Sequence, residues 1–240
     1  MRKPIVSILA VLAVIAALRI VQTIGDDLPV IEVSGSERST DKLTLQDILF
    51  TQQDFYIWPT RVDAELGTLR VPARRNHTDR HVGKPFELKF VRFRSVGEND
   101  SDSPIVYLAG GPGGSGIGAA SGDRFSFFMK LREAGDVIAL DQRGTGYSDP
   151  KPICPEPVEP LLDRSMSVGE LAEHYAPVLR ECFERWSSDI HPDSFTTMQS
   201  VEDLESLRLA LGVERLGFVG ISYGTHLALA YIREYPNRVE

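Results

Sequence analysis

Cysteine is scarce in this 240-residue sequence, with Cys154 and Cys182 its whole complement. Two thiols are too few to build a structural metal site by themselves, and they leave open one disulfide or two separate buried thiols. Histidine is nearly as sparse. His77 and His81 stand four apart but in a polar connection, with no helical pattern around them, and His174, His191 and His226 show no ligand spacing, so no metal centre is expected. Basic charge is also short: 26 Lys+Arg stand against 34 Asp+Glu, a formal net charge of −8. A nucleic-acid binder needs a basic face to displace counterions from phosphates, so no nucleic-acid partner is expected. Internal repeats and low-complexity tracts are missing too. What remains, 42% hydrophobic and 25% charged residues, is the composition of a folded globular chain rather than of a rod or a disordered tail.

The one long apolar run lies at the start. Met1-Arg2-Lys3 precedes the uncharged stretch Ile5 to Leu18, and Arg19 interrupts it. A basic start before an apolar run of this length has the form of an export signal. A membrane-spanning helix needs ~20 largely apolar residues, so the run could serve as an anchor only with Arg19 reaching the interface. Residues 1–25 are accordingly assigned as signal peptide or membrane anchor, residues 26–53 as a polar approach segment, and 54–240 as the folded domain. Arg2, Lys3 and Arg19 fall in the first segment and no acid does, so the remainder is more acidic than the whole. Such a body is expected beyond a membrane: secreted, periplasmic, or anchored with an extracytoplasmic domain.

Further along, Leu66 to Val71 and Phe86 to Phe93 read as strands, rich in β-branched and aromatic residues. Ile105–Leu108 (IVYL), Val137–Leu140 (VIAL) and Leu216–Ile221 (LGFVGI) are short unbroken apolar runs, the pattern of strands covered on both faces. Asp123 to Ala134 suits a crossover helix, Val168 to Trp186 has helical apolar spacing, and Tyr223 to Tyr235 follows the last strand as a helix. Ser200 is the expected cap of a helix ending at Leu211 before Gly212. Alternating strands and helices of this kind predict an α/β chain with a parallel sheet.

Three blocks at strand ends carry chemistry. Gly220-Ile221-Ser222-Tyr223-Gly224 is a G-x-S-x-G between a buried strand and a helix. A sharp turn there lifts the serine hydroxyl above the sheet, and the helix N-terminus favours negative charge beside it. Ala109-Gly110-Gly111-Pro112-Gly113-Gly114-Ser115-Gly116 follows the IVYL strand. Such a loop can aim backbone N–H groups at a developing oxyanion. A phosphate-cradling role is disfavoured, because no Lys-Ser/Thr closes the loop and Pro112 removes a donor. Asp141 to Pro150 (DQRGTGYSDP) follows the VIAL strand, and Asp141 and Arg143 are expected to hold that loop as an ion pair.

Taken in order, GGPGGSG, DQRGTGYSDP and GISYGT resemble the α/β-hydrolases of the prolyl iminopeptidase and tripeptidyl aminopeptidase branch. GTLRVP and the strand ending in FRS look like the opening hairpin of exported members, so the resemblance covers roughly residues 54 to 239. It implies an α/β-hydrolase fold and a serine peptidase that removes residues from peptide N-termini without metal or cofactor. Ser222 matches the nucleophile, and the N–H groups of Gly111 and Tyr223 match the oxyanion donors. Cys154 and Cys182 match positions bridged in exported relatives. Two departures stand out: Ala109 where many iminopeptidases carry histidine, and Leu66 where a further cysteine is often found.

A serine needs a histidine to take its proton and a carboxylate to orient that histidine. In this fold both follow the serine along the chain. After Ser222 the sequence offers one histidine, His226, and two acids, Glu234 and Glu240. His226 lies one turn along the same helix and is read as packing. Three further parallel strands and the cap that recognises a substrate amine are not found either. The expectation is therefore the N-terminal portion of a larger enzyme, inactive alone, with the Leu216–Ile221 strand left at an open edge. The substrate is expected to be a peptide, or a small ester if the enzyme is an esterase or lipase on the same fold; a non-catalytic binding fragment is the remaining alternative.

Overall fold

The computed structural model describes residues 48–57, 60–75, 84–97, 101–151, 165–187 and 190–240. These residues belong to one unit, Thr40–Glu240. The assigned export segment, most of the approach segment, His77, His81 and Cys154 lie outside the described residues.

Six strands form one sheet: β1 (Ile48–Ile57), β2 (Thr60–Val71), β3 (Phe86–Phe93), β4 (Ser101–Leu108), β5 (Gly135–Leu140) and β6 (Gly217–Gly220). Their order is β1-β2-β3-β5-β4-β6. The first three are antiparallel neighbours, and β3 also runs antiparallel to β5. β5, β4 and β6 are mutually parallel, with Val106 beside Ile138 on one side and beside Phe218 on the other.

The helices are α1 (Gly116–Ser121), α2 (Phe125–Leu131), α3 (Val168–Ser187), α4 (Thr197–Leu211) and α5 (Tyr223–Glu234); α1 and α2 cover one face and α4 and α5 the other, while α3 has no buried residue. Side chains alternate across a strand, and the two cores divide accordingly. Val106, Leu108, Ile138 and Leu140 face Leu204, Leu207, Leu227 and Tyr231 of α4 and α5. Tyr107, Val137 and Ala139 face Ile117, Ala120 and Phe128 of α1 and α2. The IVYL and VIAL runs are thus strands buried on both sides, as expected, whereas β6 is only half-buried from Gly217 to Gly220.

Several boundaries differ from the sequence reading. β1 begins at Ile48, inside the stretch assigned as approach segment, and pairs along its length with β2, which itself starts before Leu66. The crossover expected over Asp123–Ala134 is two short helices, the first capped by Ser115, whose side chain accepts from the Gly118 N–H. α4 starts at Thr197 because Thr196, not Ser200, is its cap, accepting from the Gln199 N–H at 3.3 Å. Ser200 is buried inside the helix. Gly212 does end it, in the left-handed conformation at φ 70°.

An isolated bridge lies just ahead of β6. Leu216 N–H donates to Arg238 at 3.0 Å and Leu216 accepts from Glu240 N–H at 3.2 Å, a parallel bridge between Leu216 and Val239. No described helix is long and apolar enough to cross a membrane.

Candidate active site

β6 ends at Gly220, and the chain turns through Ile221 and Ser222 directly into α5. Ser222 sits at φ 51°, ψ −116°, the one non-glycine residue with positive φ among those described. Such a conformation costs an L-residue roughly 1–3 kcal/mol and persists only where its surroundings impose it. Here they do. A Cβ on Gly224 would overlap the Leu108 carbonyl oxygen, and one on Gly220 would stand 2.6 Å from the carbonyl oxygen of Gly224. Both glycines let the start of α5 press against the ends of β4 and β6. The turn is closed by Gly224 N–H donating to Ile221 at 2.8 Å and by Thr225, which donates to the Ser222 carbonyl from its N–H at 3.0 Å and its hydroxyl at 2.6 Å.

The Ser222 side chain is exposed, and its hydroxyl makes no hydrogen bond among the described residues. Beside it lies the loop after β4. The position a Cβ would take on Gly110 is 3.1 Å from the Ser222 Cβ. Gly111, next along, has φ 118°. The loop is closed by Gly114 N–H donating to Gly110 at 3.0 Å. The Gly111 N–H has no acceptor among the described residues, and Tyr223, as the first residue of α5, carries one of the N–H groups a helix start leaves without an internal partner. The structure thus brings Ser222, Gly111 and Tyr223 to one corner of the sheet. The Tyr223 hydroxyl is tied to Thr197 Oγ1 at 3.0 Å.

The pairing expected in the DQRG loop does not form. Asp141 is fully buried and accepts from Ser115 Oγ at 2.7 Å, from Ile117 N–H at 3.0 Å and from Tyr147 N–H at 2.8 Å. Burial pushes its carboxyl above the ordinary range, and these hydrogen bonds only partly offset that. Arg143 turns the other way. It forks onto Asp203 of α4 at 2.7 Å through both Nε and Nη2, and its remaining donors reach the carbonyls of Pro72, Ala73 and Ser194. Nothing in the sequence singles out Asp203; an acid in a helix ordinarily faces water.

His226 is exposed on α5, its ring 5.9 Å from that of Tyr223. His191 starts the turn before α4, where its Nδ1 accepts from Asp193 N–H at 3.2 Å, and His174 lies on α3. None of the three is hydrogen-bonded to Ser222. Cys182, on α3, is disulfide-bonded. Among the described residues no group of three or more His, Cys, Asp or Glu side chains could hold a metal ion.

Residues 103–240 match the family described as the α/β hydrolase fold, and the chain belongs to that family. It is 31% identical over 181 residues to the serine protease Hip1 of Mycobacterium tuberculosis, a match covering 72% of this chain and 34% of that protein. It is 32% identical over 171 residues to a tripeptidyl aminopeptidase of Streptomyces lividans, covering 65% and 31% respectively. Among solved structures, a proline iminopeptidase-related protein from Thermus thermophilus aligns over 71% of this chain and 41% of that one, at 23% identity and a TM-score of 0.40. The chain spans about a third of the length of the curated relatives it matches.

Proposed function

We propose that this chain carries the nucleophile and the oxyanion donors of an exported serine aminopeptidase. The observation that carries the reading is Ser222, held at positive φ between β6 and α5, exposed and with its hydroxyl unpartnered among the described residues, beside the Gly110–Gly111 loop. In this reading the Ser222 oxygen attacks a peptide carbonyl carbon, and negative charge moves onto the carbonyl oxygen. The N–H groups of Gly111 and Tyr223 receive that charge, helped by the α5 N-terminus. The tetrahedral intermediate then collapses, the C–N bond breaks, the leaving amine takes the proton that the serine hydroxyl gave up to a base, and water then hydrolyses the acyl ester left on Ser222.

The proton released by Ser222 needs a base, and none of the described histidines or acids is hydrogen-bonded to it. In this reading a working centre takes its histidine and carboxylate from outside the described residues, and residues 1–240 alone are expected to give no appreciable turnover. Two features support export: the basic-then-apolar form of residues 1–25 and the disulfide at Cys182, a bond suited to an oxidising compartment.

The test is a fluorophosphonate probe followed by peptide mapping, with and without imidazole to stand in for the base. Modification of Ser222, accelerated by imidazole, is expected, while a tripeptidyl anilide and a short acyl ester are turned over no faster than in buffer. A folded chain modified at another serine, or not at all, overturns the assignment. Hydrolysis that disappears in Ser222→Ala overturns the expected inactivity. Imidazole-dependent turnover of the ester alone favours the esterase alternative.

A further inference from the structure

A cleft of about 530 Å³ opens between the end of β2, the start of β3 and the loops after β5 and before α4. It lies at the same edge of the sheet as Ser222. β3 runs antiparallel to β5, so its first residue, Phe86, stands beyond the end of β5, on the side where β4 and β6 also end. The order β3-β5-β4-β6 separates the two places by three strand spacings, or ~14 Å.

The walls of the cleft are preformed. The buried Arg143 guanidinium donates to Ala73 on one side at 2.7 Å and to Ser194 on the other at 2.6 Å, so one side chain clamps both. Phe86 stacks on Phe195 behind it at 6.1 Å. Phe86, Pro150 and Ile190 give it apolar surface, and Arg74, Lys84 and Lys151 bring three cations to it. Lys84 makes no hydrogen bond or ion pair among the described residues. Among the described residues the Lys151 ammonium has only the Tyr147 ring, 5.9 Å away, and Arg74 meets Asp193 at 3.9 Å. Against these stand the carboxylates of Asp149, which lines the cleft, and Asp193. A local cationic excess over apolar surface is unusual in a chain of net charge −8.

We infer that this cleft is a binding site for a peptide carboxylate, with the apolar residue that carries it resting on Phe86 and Pro150. The inference rests on the peptidase reading of Ser222 and extends it. An extended chain advances ~3.3 Å per residue, so at least about four residues are needed to cross the sideways offset between β6 and β3. The carboxylate is that of a short substrate's C-terminus, and an acidic side chain offers the same chemistry at the same place.

Calorimetric titration of the whole chain with three pentapeptides tests this: Ala-Ala-Ala-Ala-Leu as the free acid, the same peptide amidated, and an amidated peptide with glutamate in the last place. The free acid is expected to bind roughly fivefold more tightly than its amide, the scale of two partly exposed charge pairs. The exposed double substitution Lys84→Gln/Lys151→Gln is expected to erase that difference while leaving fluorophosphonate modification of Ser222 unchanged. Equal binding of acid and amide, or a difference that survives the double substitution, overturns the site. If the glutamate peptide binds as tightly as the free acid, the site stands and its natural ligand is the side chain. An intact acid–amide difference with no modification of Ser222 would instead remove the peptidase reading and leave the cleft.

Discussion

The Ser115 hydroxyl donates to Asp141 Oδ1 at 2.7 Å and at the same time accepts from Gly118 N–H at 2.7 Å, so one serine both caps α1 and grips a buried carboxylate. The same Oδ1 takes the Ile117 N–H, and Oδ2 takes the Tyr147 N–H. The loop that carries Gly111 is thereby fastened to the loop after β5. Asp141→Asn keeps the size of the side chain but turns one acceptor into a donor facing an N–H. It should lower stability by about 2–4 kcal/mol in urea unfolding, the cost of leaving buried donors unpaired. Ser115→Ala, which removes a cap, should lose about 1 kcal/mol. An Asp141→Asn chain as stable as the parent would show that the carboxylate does not fasten the two loops.

Acid lability should trace in part to Glu65. Burial alone would raise its carboxyl, but hydrogen bonds from Arg92 and Arg94 outweigh it and hold Glu65 below its ordinary value of 4.5. A carboxyl lowered in the folded state contributes stability above its unfolded value, and that contribution is lost as pH falls through the folded one. Asp141 has the opposite sign: raised by burial, it contributes at low pH and the contribution is lost as pH rises. In urea midpoints followed against pH, Glu65→Gln should therefore lie below the parent near neutrality, and the gap should narrow as the pH falls below 4.5. A gap that stays constant with pH would exclude the guanidinium pairs as its source.

Arg143 and Asp203 should be the costliest polar pair to break. Their side chains are 1% and 3% exposed, and the pair joins the loop after β5 to α4 and to the strand end at Pro72–Ala73. Asp203→Ala leaves a buried guanidinium without a counter-charge, a loss of about 3–5 kcal/mol. Arg75, which also donates to Asp203 at 2.8 Å but is partly exposed, should cost only about 1 kcal/mol on change to alanine. Equal losses for the two variants would contradict this division.

What can be read in advance follows from what each element needs. β4 and β5 are covered on both faces, so IVYL and VIAL are unbroken apolar runs and are legible as strands. The Ser222 turn is legible because two backbones approach so closely at Gly220 and Gly224 that no side chain fits. β1 lies at the edge of the sheet and pairs only with β2. Its Thr51-Gln52-Gln53 stretch breaks the apolar pattern, so the first part of the strand, Ile48 to Gln53, falls within the expected approach segment. The expected Asp141–Arg143 pairing fails for a different reason. Two residues apart in sequence says nothing of which way each side chain turns, and the true partner, Asp203, is 60 residues from Arg143. A base for Ser222 is found neither in the sequence pattern nor among the described residues.

The strain at Ser222 can be separated from its chemistry. At φ 51°, ψ −116° any residue with a Cβ carries the same conformational cost, so Ser222→Ala should change stability by only a few tenths of a kcal/mol. Glycine accepts positive φ, but it also gains freedom in the unfolded chain, worth about 0.5–1 kcal/mol against it. With ~1–3 kcal/mol of strain relieved, Ser222→Gly should be more stable than Ser222→Ala by about 1 kcal/mol. Neither variant has a hydroxyl at 222, so neither should accept fluorophosphonate there. Urea unfolding of the two variants side by side makes the comparison, because both lack the nucleophile and differ in one methyl group. If glycine proves no more stable than alanine, the turn is not strained, and the exposure of Ser222 must come from the close packing at Gly220 and Gly224 alone.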